Sequence, residues 1–342
     1  MKEKDTPLRL VRSCEKRFPG IFPLMDNMRE AKGTAEDMDW PDYCHIPIGA
    51  AHTALVLAYG LTDREAGEVC AEITACYTWR QNKIMFDFDL DFARTLALQA
   101  YELDDFDELP TSLLTHLPYN CVYIRVPGLF QDIDGFFAWT EYDINYQRTE
   151  LRVQYVLHDK KYSVPAVLHL VPNGNIGDCI SSTNEEIKKH EEVWRRETGI
   201  DPEELNVLAS GAEDIRMLLI AVQLLLYLCS SNADIEHTPR LQRRATSPKK
   251  QKEDKASDVQ DAHVGVRIGS VIRRQRSQAP SVTPAEEGTG APKRPHSRRG
   301  HWHHYWAGSE RKGDRRLILK WTAPTFIHID DSGDDIVVHK VK

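Results

Sequence analysis

The repeat of the apolar residues changes near Pro110, and that change limits the fold more than any other property of the chain. From Gly49 to about Tyr101 the repeat is helical: Ala54, Leu55, Ala58 and Tyr59, then Val69, Ile73, Cys76 and Tyr77, then Phe92, Leu96, Leu98 and Tyr101. Thr62 and Glu65 have capping-box spacing, which predicts a helix start there. Beyond Pro110 come CVYIRV (121–126), GFFAWTEYDI (135–144), LRVQYVLHD (151–159) and VPAVLHLV (164–171). These runs are rich in β-branched and aromatic residues and are separated by short polar turns, as in an antiparallel meander. Two helical runs follow, Asn184–Glu197 and Asp201–Cys229, the second opened by a capping Asp201, Pro202 in first position and the acids Glu203 and Glu204. Ahead of all this stand a short basic helix, Leu8–Phe18, and an irregular run through Pro19, Pro23, Pro41 and Pro47. The expected fold class is α+β, with a helical N-terminal part packed on an antiparallel sheet.

A chain of 342 residues is longer than one core comfortably serves, so a division into parts is expected. Charge suggests where. The chain carries a net −8, yet between Thr238 and Arg316 there are 19 Lys and Arg against 8 Asp and Glu, which leaves the remainder strongly acidic. Residues 1–236 read as an acidic α+β domain. Residues 237–261, with TSPKKQKEDK and almost nothing apolar to bury, read as a basic flexible linker. Residues 262–342 read as a basic, β-rich C-terminal region with strands in HWHHYW, RLILKW, TFIHI and DIVVHKV, the last two closed into a hairpin by DDSGDD. Opposite fields on one chain point to different partners for each part. Severed at the linker, each part should still fold.

Seven scattered cysteines without a CxxC pair argue against a disulfide framework and for a reducing compartment. The N-terminus has no apolar stretch of the length a secretory signal requires. The run IRMLLIAVQLLLYLC (215–229) is interrupted by Arg216 and Gln223 and falls short of the roughly 20 apolar residues of a membrane span. It reads as a buried helix, so no membrane partner is expected, and the location expected is the cytoplasm.

The densest chemistry lies in RPHSRRGHWHHYWAG (294–308). Arg294, Arg298 and Arg299 supply guanidinium groups, His301, His303 and His304 imidazoles, and Trp302, Tyr305 and Trp306 large rings. Guanidinium pairs with phosphate and aromatic faces stack on exposed bases, so these nine residues are candidate nucleic-acid contacts. In an extended conformation His301, His303 and Tyr305 share one face, with Trp302, His304 and Trp306 on the other.

PTSLLTHLPYNCVYI (110–124), DGFFAWTEYDI (134–144), RPHSRRGHWHHYWAG (294–308) and KWTAPTFIH (320–328) resemble, in the same order, the signature stretches of a family of type V-A anti-CRISPR proteins, the second described in that class. The similarity runs with gaps from roughly Ala71 to His328. Members are carried by phages, plasmids and other mobile elements. The resemblance implies inhibition of a type V-A CRISPR effector nuclease at the level of its synthesis. The partners it implies are the nascent N-terminal segment of that effector, followed by its mRNA or the ribosome, with loss of the message as the outcome.

A protein that grips a nascent chain needs an exposed strand edge beside aromatic pockets. Phe136, Phe137, Trp139 and Tyr142, with Trp79 and Arg80 nearby, are candidates for such a wall. The alternative is that these rings are ordinary core of a sheet covered on both faces. His301 and His303 are the candidates for acid and base should the chain itself cleave RNA, with Arg298 or Arg299 stabilising charge on phosphate. The same two imidazoles could begin a metal site, but His296, His328, Asp330 and Asp331 supply no convincing third and fourth ligand, so neither a metal nor a cofactor is expected. Asp87, Asp89 and Asp91 in MFDFDLDF read as a charged lip before the next helix, and Cys121 as core. The favoured reading is an inhibitory adaptor without catalysis of its own. The alternatives are a histidine-dependent ribonuclease and a nucleic-acid-binding regulator of a plasmid or prophage, although no helix-turn-helix signature accompanies the basic residues.

Overall fold

The computed structural model describes residues 7–35, 38–100, 104–115, 117–157, 165–198, 211–238, 259–278, 296–298 and 300–327. The expected meander is present. Strands β2 (Cys121–Arg125), β3 (Ile133–Asp143), β4 (Arg148–Leu157) and β5 (Ala166–His169) pair antiparallel in sequence order. The sheet is larger than that and mixed. It continues through β1 (Ile84–Phe88), β7 (Gln260–Val264) and β6 (Ile235–His237), giving the order β5-β4-β3-β2-β1-β7-β6. Here β1 lies parallel to both β2 and β7, while β6 lies antiparallel to β7. A parallel pair needs a crossover, and between β1 and β2 it is made through helix α5 (Leu90–Gln99) and the short α6 (Asp104–Asp107).

Of the charged lip of the sequence reading, Asp87 lies on the central strand β1, while Asp89 and Asp91 do stand at the start of the next helix. Ile84, Phe86 and Phe88 enter one core and Met85 the other; only Asp87 turns a carboxylate to a polar neighbour, accepting from Nη1 of Arg125 at 3.1 Å. Asp89 ends the strand and caps α5 through the N–H groups of Asp91 and Phe92.

Both faces of the sheet are covered. On one face Val122, Ile124, Phe136, Ala138, Leu151 and Val153 pack under α5 and α8 (Gly211–Cys229), the buried helix expected from its all-round apolar character. On the other, Cys121, Tyr123, Phe137 and Trp139 pack under α1 (Leu8–Arg17), α2 (Ile21–Glu30), α3 (Ile48–Tyr59) and α4 (Asp63–Trp79). Alternation along β2 and β3 thus divides each strand between two cores. Among the described residues no helix is long and apolar enough to cross a membrane.

Helix ends follow local chemistry. Thr62 and Glu65 form the reciprocal capping box, with the Thr62 N–H donating to Glu65 Oε2 at 2.9 Å and the Glu65 N–H to Thr62 Oγ1 at 3.3 Å. Helix α2 occupies part of the run read as irregular; its Pro23 stands in the first turn, where a proline removes no intrahelical hydrogen bond. Helix α7 (Ile176–Thr198) starts earlier than its apolar repeat suggests, because Asn175 and Asp178 cap each other: Asn175 N–H to Asp178 Oδ2 at 2.9 Å, Asp178 N–H to Asn175 Oδ1 at 2.7 Å. The cap expected at Asp201–Glu204 lies outside the described residues.

The stretch 237–261 runs from β6 to its neighbour β7, and residues 239–258 of it lie outside those described. After β7 the chain enters α9 (Val266–Gln278). It returns as a ribbon of two strand pairs: β8 (His296–Arg298) with β11 (Thr325–Ile327), and β9 (His301–Ala307) with β10 (Arg316–Thr322). The run TFIHI thus pairs backwards with β8. Its expected partner DIVVHKV lies outside the described residues.

Candidate nucleic-acid interface

The β9–β10 ribbon has a root that is fixed and a tip that projects. At the root Trp302 and Trp321 are cross-strand partners, and both indoles are buried. Nε1 of Trp302 donates to Oε1 of Gln223 on α8 at 2.8 Å, and Nε1 of Trp321 to Oε1 of Gln99 on α5 at 2.9 Å. The Gln99 amide in turn donates to the Gly300 carbonyl. A Cβ at Gly300 would lie 2.8 Å from the Trp321 ring, so this close approach requires glycine. Asn232 brackets the backbone of Trp321, donating to its carbonyl at 2.8 Å and accepting its N–H at 3.0 Å. The ring of Trp321 meets Phe92 edge-on at 5.2 Å and Tyr227 at 5.7 Å. Burying two indoles with both N–H groups satisfied fixes where the ribbon leaves the body.

Beyond the root the same strands run into solvent. Tyr305 is 41% exposed and Trp306 54%, and His303 and His304 are exposed as well, as is His301 beside the root. The reversal between the strands places Gly308 at φ +92, where an added Cβ would come within 2.4 Å of the Asp314 carbonyl oxygen. It also carries Arg311, Lys312 and Arg315, all exposed, and Arg316 follows at the start of β10. The guanidinium of Arg315 lies 4.8 Å from the Trp306 ring centroid, and Nζ of Lys320 lies 5.1 Å from that of Tyr305. The rings of His301 and His303 meet edge-on at 4.5 Å. Cations set beside solvent-facing rings are what an unpaired polynucleotide asks of a protein: phosphate meets the charge while a base meets the ring.

Of the nine sequence candidates, five therefore share this exposed surface: His301, His303, His304, Tyr305 and Trp306. Trp302 is a root residue and is removed from the contact set, since its indole faces Gln223 inside the core. Arg298 has its backbone in β8, and Arg294 and Arg299 lie outside the described residues. The cations on the tip and on β10 were missed. Their signal was present in ERKGDRRLILKW, where a basic turn precedes a strand that sets Arg316 and Lys320 on one face and Leu317, Leu319 and Trp321 on the other.

The peptide wall does not assemble. Phe136, Phe137, Trp139 and Trp79 are fully buried, Phe136 in one core and the other three in the opposite one, because both faces of the sheet are covered. Nε1 of Trp79 donates to the Ile84 carbonyl at 2.6 Å, and Nε1 of Trp139 to Glu141 Oε2 at 2.8 Å. The guanidinium of Arg80 lies over Phe22 at 4.8 Å and within 3.8 Å of Asp26. Tyr142 reaches a cleft, a space of about 510 Å³ lined by Lys32, Asp39, Trp40, Pro41, Asp42 and Tyr142. There Nζ of Lys32 bonds Asp42 at 2.5 Å and lies 5.9 Å from the Trp40 ring centroid. The ammonium holds the Asp42 carboxyl below its usual range.

The remaining candidates have structural partners. Arg273 of α9 donates to Asp89 at 2.8 Å and to Asp91 at 2.9 Å, and Cys121 is buried. Among the described residues no three His, Cys, Asp or Glu side chains are placed to hold a metal ion. His296 contributes backbone to β8, while His328, Asp330 and Asp331 lie outside the described residues.

A family model described as AcrVA2-like, the anti-CRISPR type V subtype A2 family, matches residues 86–329. The crystal structure of AcrVA2 superposes with a TM-score of 0.53 at 18% sequence identity, covering 92% of this chain and 96% of that one. At that identity the likeness is one of fold. No curated protein matches the chain.

Proposed function

Because this chain belongs to the anti-CRISPR type V subtype A2 family, we propose that it inhibits a type V-A CRISPR effector by lowering its synthesis. In this reading it binds the nascent N-terminal segment of the effector and promotes loss of the message being translated. The body supplies the peptide contact and the ribbon a contact to mRNA or ribosomal RNA. The observation that carries the nucleic-acid half is the projecting tip, where cations stand beside exposed rings while the root is locked into the core. With Phe136, Phe137 and Trp139 buried, the peptide half rests on the cleft at Trp40 and Tyr142, whose aromatic walls and paired charges suit an extended peptide. Two weak grips on one translating complex act together, since the first raises the effective concentration of the second.

The test is co-expression with a type V-A effector, following both effector protein and effector transcript. Expected is a fall in both that survives synonymous recoding of the first codons and disappears when the encoded N-terminal residues are changed. A fall indifferent to those residues, or no fall, overturns the reading. If the purified chain degrades RNA and loses that ability in His301→Ala or His303→Ala, the ribonuclease alternative takes its place.

A further inference from the structure

One side of the β9–β10 ribbon turns away from the core. In the register of the pair His301 faces Thr322, His303 faces Lys320, Tyr305 faces Ile318 and Ala307 faces Arg316. Alternation puts these residues on the side opposite Trp302, Leu319 and Trp321, which enter the core. His301, His303, Tyr305, Arg316 and Thr322 are exposed, and Lys320 is half-buried beneath the Tyr305 ring.

We propose that this side of the ribbon is a platform for single-stranded RNA, on which unstacked bases lie against His301, His303 and Tyr305 while Lys320 and Arg316 meet the phosphates. The proposal rests on the nucleic-acid contact suggested above and gives it a side, a strandedness and a set of residues. Spacing supports it first. The edge-on rings of His301 and His303, 4.5 Å between centroids, form one station, and Tyr305, two residues beyond His303, stands about 6.7 Å further along the strand, roughly twice the 3.4 Å that separates nucleotides along a stacked strand. Bases seated at successive stations must be splayed apart, which a single strand allows and a duplex does not.

The residue types agree. Reading base pairs in a groove calls for forked donors and acceptors such as Asn, Gln and Arg. This side of β9 and β10 has no Asn, Gln, Asp or Glu and only Arg316 as a guanidinium. What it has are three rings in a row, which a duplex cannot use and unpaired bases can. With Nζ of Lys320 at 5.1 Å from the Tyr305 centroid, a base on that ring brings its phosphate within reach of the ammonium. The absence of carboxylates leaves the phosphates unopposed.

Purified full-length protein is titrated into a short labelled RNA without self-complementarity, and into the same strand annealed to its complement, at low and moderate salt. Expected is a preference for the single strand of roughly ten-fold or more. Tyr305→Ala should weaken single-strand binding about ten-fold, Tyr305→Phe should leave it within about two-fold, and Lys320→Ala should reduce the slope of log affinity against log salt by about 0.7. Both side chains are outside the core, so unchanged melting curves certify the fold of the variants. Equal or tighter binding of the duplex, wild-type affinity in both His303→Ala and Tyr305→Ala, or no RNA binding by the folded protein would each overturn the platform. None of these touches the fall in effector measured on co-expression; conversely, RNA binding without that fall keeps the platform and removes its proposed role.

Discussion

Glu141 is the side chain whose position is least expected from its type. It stands on β3 fully buried, with Oε1 accepting the Ile48 N–H at 2.5 Å and Oε2 accepting Nε1 of Trp139 at 2.8 Å. Pro47 offers no side-chain cap to α3, so this carboxylate from the sheet takes that office. Its register partner is Glu150, also buried but held by Arg148 at 2.8 Å and Arg152 at 2.6 Å. Burial pushes the Glu141 carboxyl up to about 7, against the pull of Arg152 and its two hydrogen bonds. A folded-state pKa above the unfolded value means that between about pH 4.5 and 7 the native state keeps a proton that the unfolded chain has lost. Stability from this group is then full below that window and falls as pH rises through it, by a total on the order of 3 kcal/mol. Glu141→Gln should be at its least favourable relative to wild type near pH 5 and gain on it toward pH 8, as read by denaturant melts. A difference that does not vary with pH would sink this account. In the sequence Glu141 reads as a polar residue inside an apolar strand; that it sits under α3 depends on a helix 93 residues away.

At the scale of elements, what was legible in the sequence is what alternates in place. The β2–β5 meander shows because its β-branched and aromatic runs lie close together and pair with their sequence neighbours. Strand β1 did not show: Ile84 and the first four residues of MFDFDLDF, with an acid among them, look like a loop until both parallel neighbours, β2 and the far-off β7, are present to bury Phe86 and Phe88. The ribbon illustrates the same limit within one element. Alternation correctly sorts Trp302, His304 and Trp306 from His301, His303 and Tyr305, but it cannot tell that the first face is interior at the root and solvent-facing at the tip. That difference is made by Gln223 and Gln99 on helices remote in sequence. Trp302→Phe should cost about 1–3 kcal/mol in chemical denaturation, because Gln223 Oε1 is left buried without its donor. Trp306→Ala should stay within about 0.5 kcal/mol. Equal costs for the two would mean that the root is not seated as described.

For the whole molecule, the sequence suggested two charged halves serving different partners, and part of that opposition is spent internally. Arg273 and Arg267, from the basic half, pair with Asp89, Asp91 and Asp234 of the acidic one. The partition at the linker also meets a sheet that crosses it, since β7 lies between β1 and β6, and Trp302, Leu319 and Trp321 complete the core around Phe92 and Tyr227. A chain ended at Thr238 loses all of these. It is expected to lack a cooperative thermal transition and to aggregate, whereas the sequence alone would have each half fold. A soluble 1–238 fragment with a sharp melt would show that the sheet tolerates the loss.

The locked root of the ribbon has one more consequence. Substitutions beyond Tyr305, and insertions between Gly308 and Arg315, leave the joinery around Trp302 and Trp321 untouched. The projecting end can therefore be rewritten for a new target with little risk to the scaffold, as a tool bit is changed while the handle stays the same.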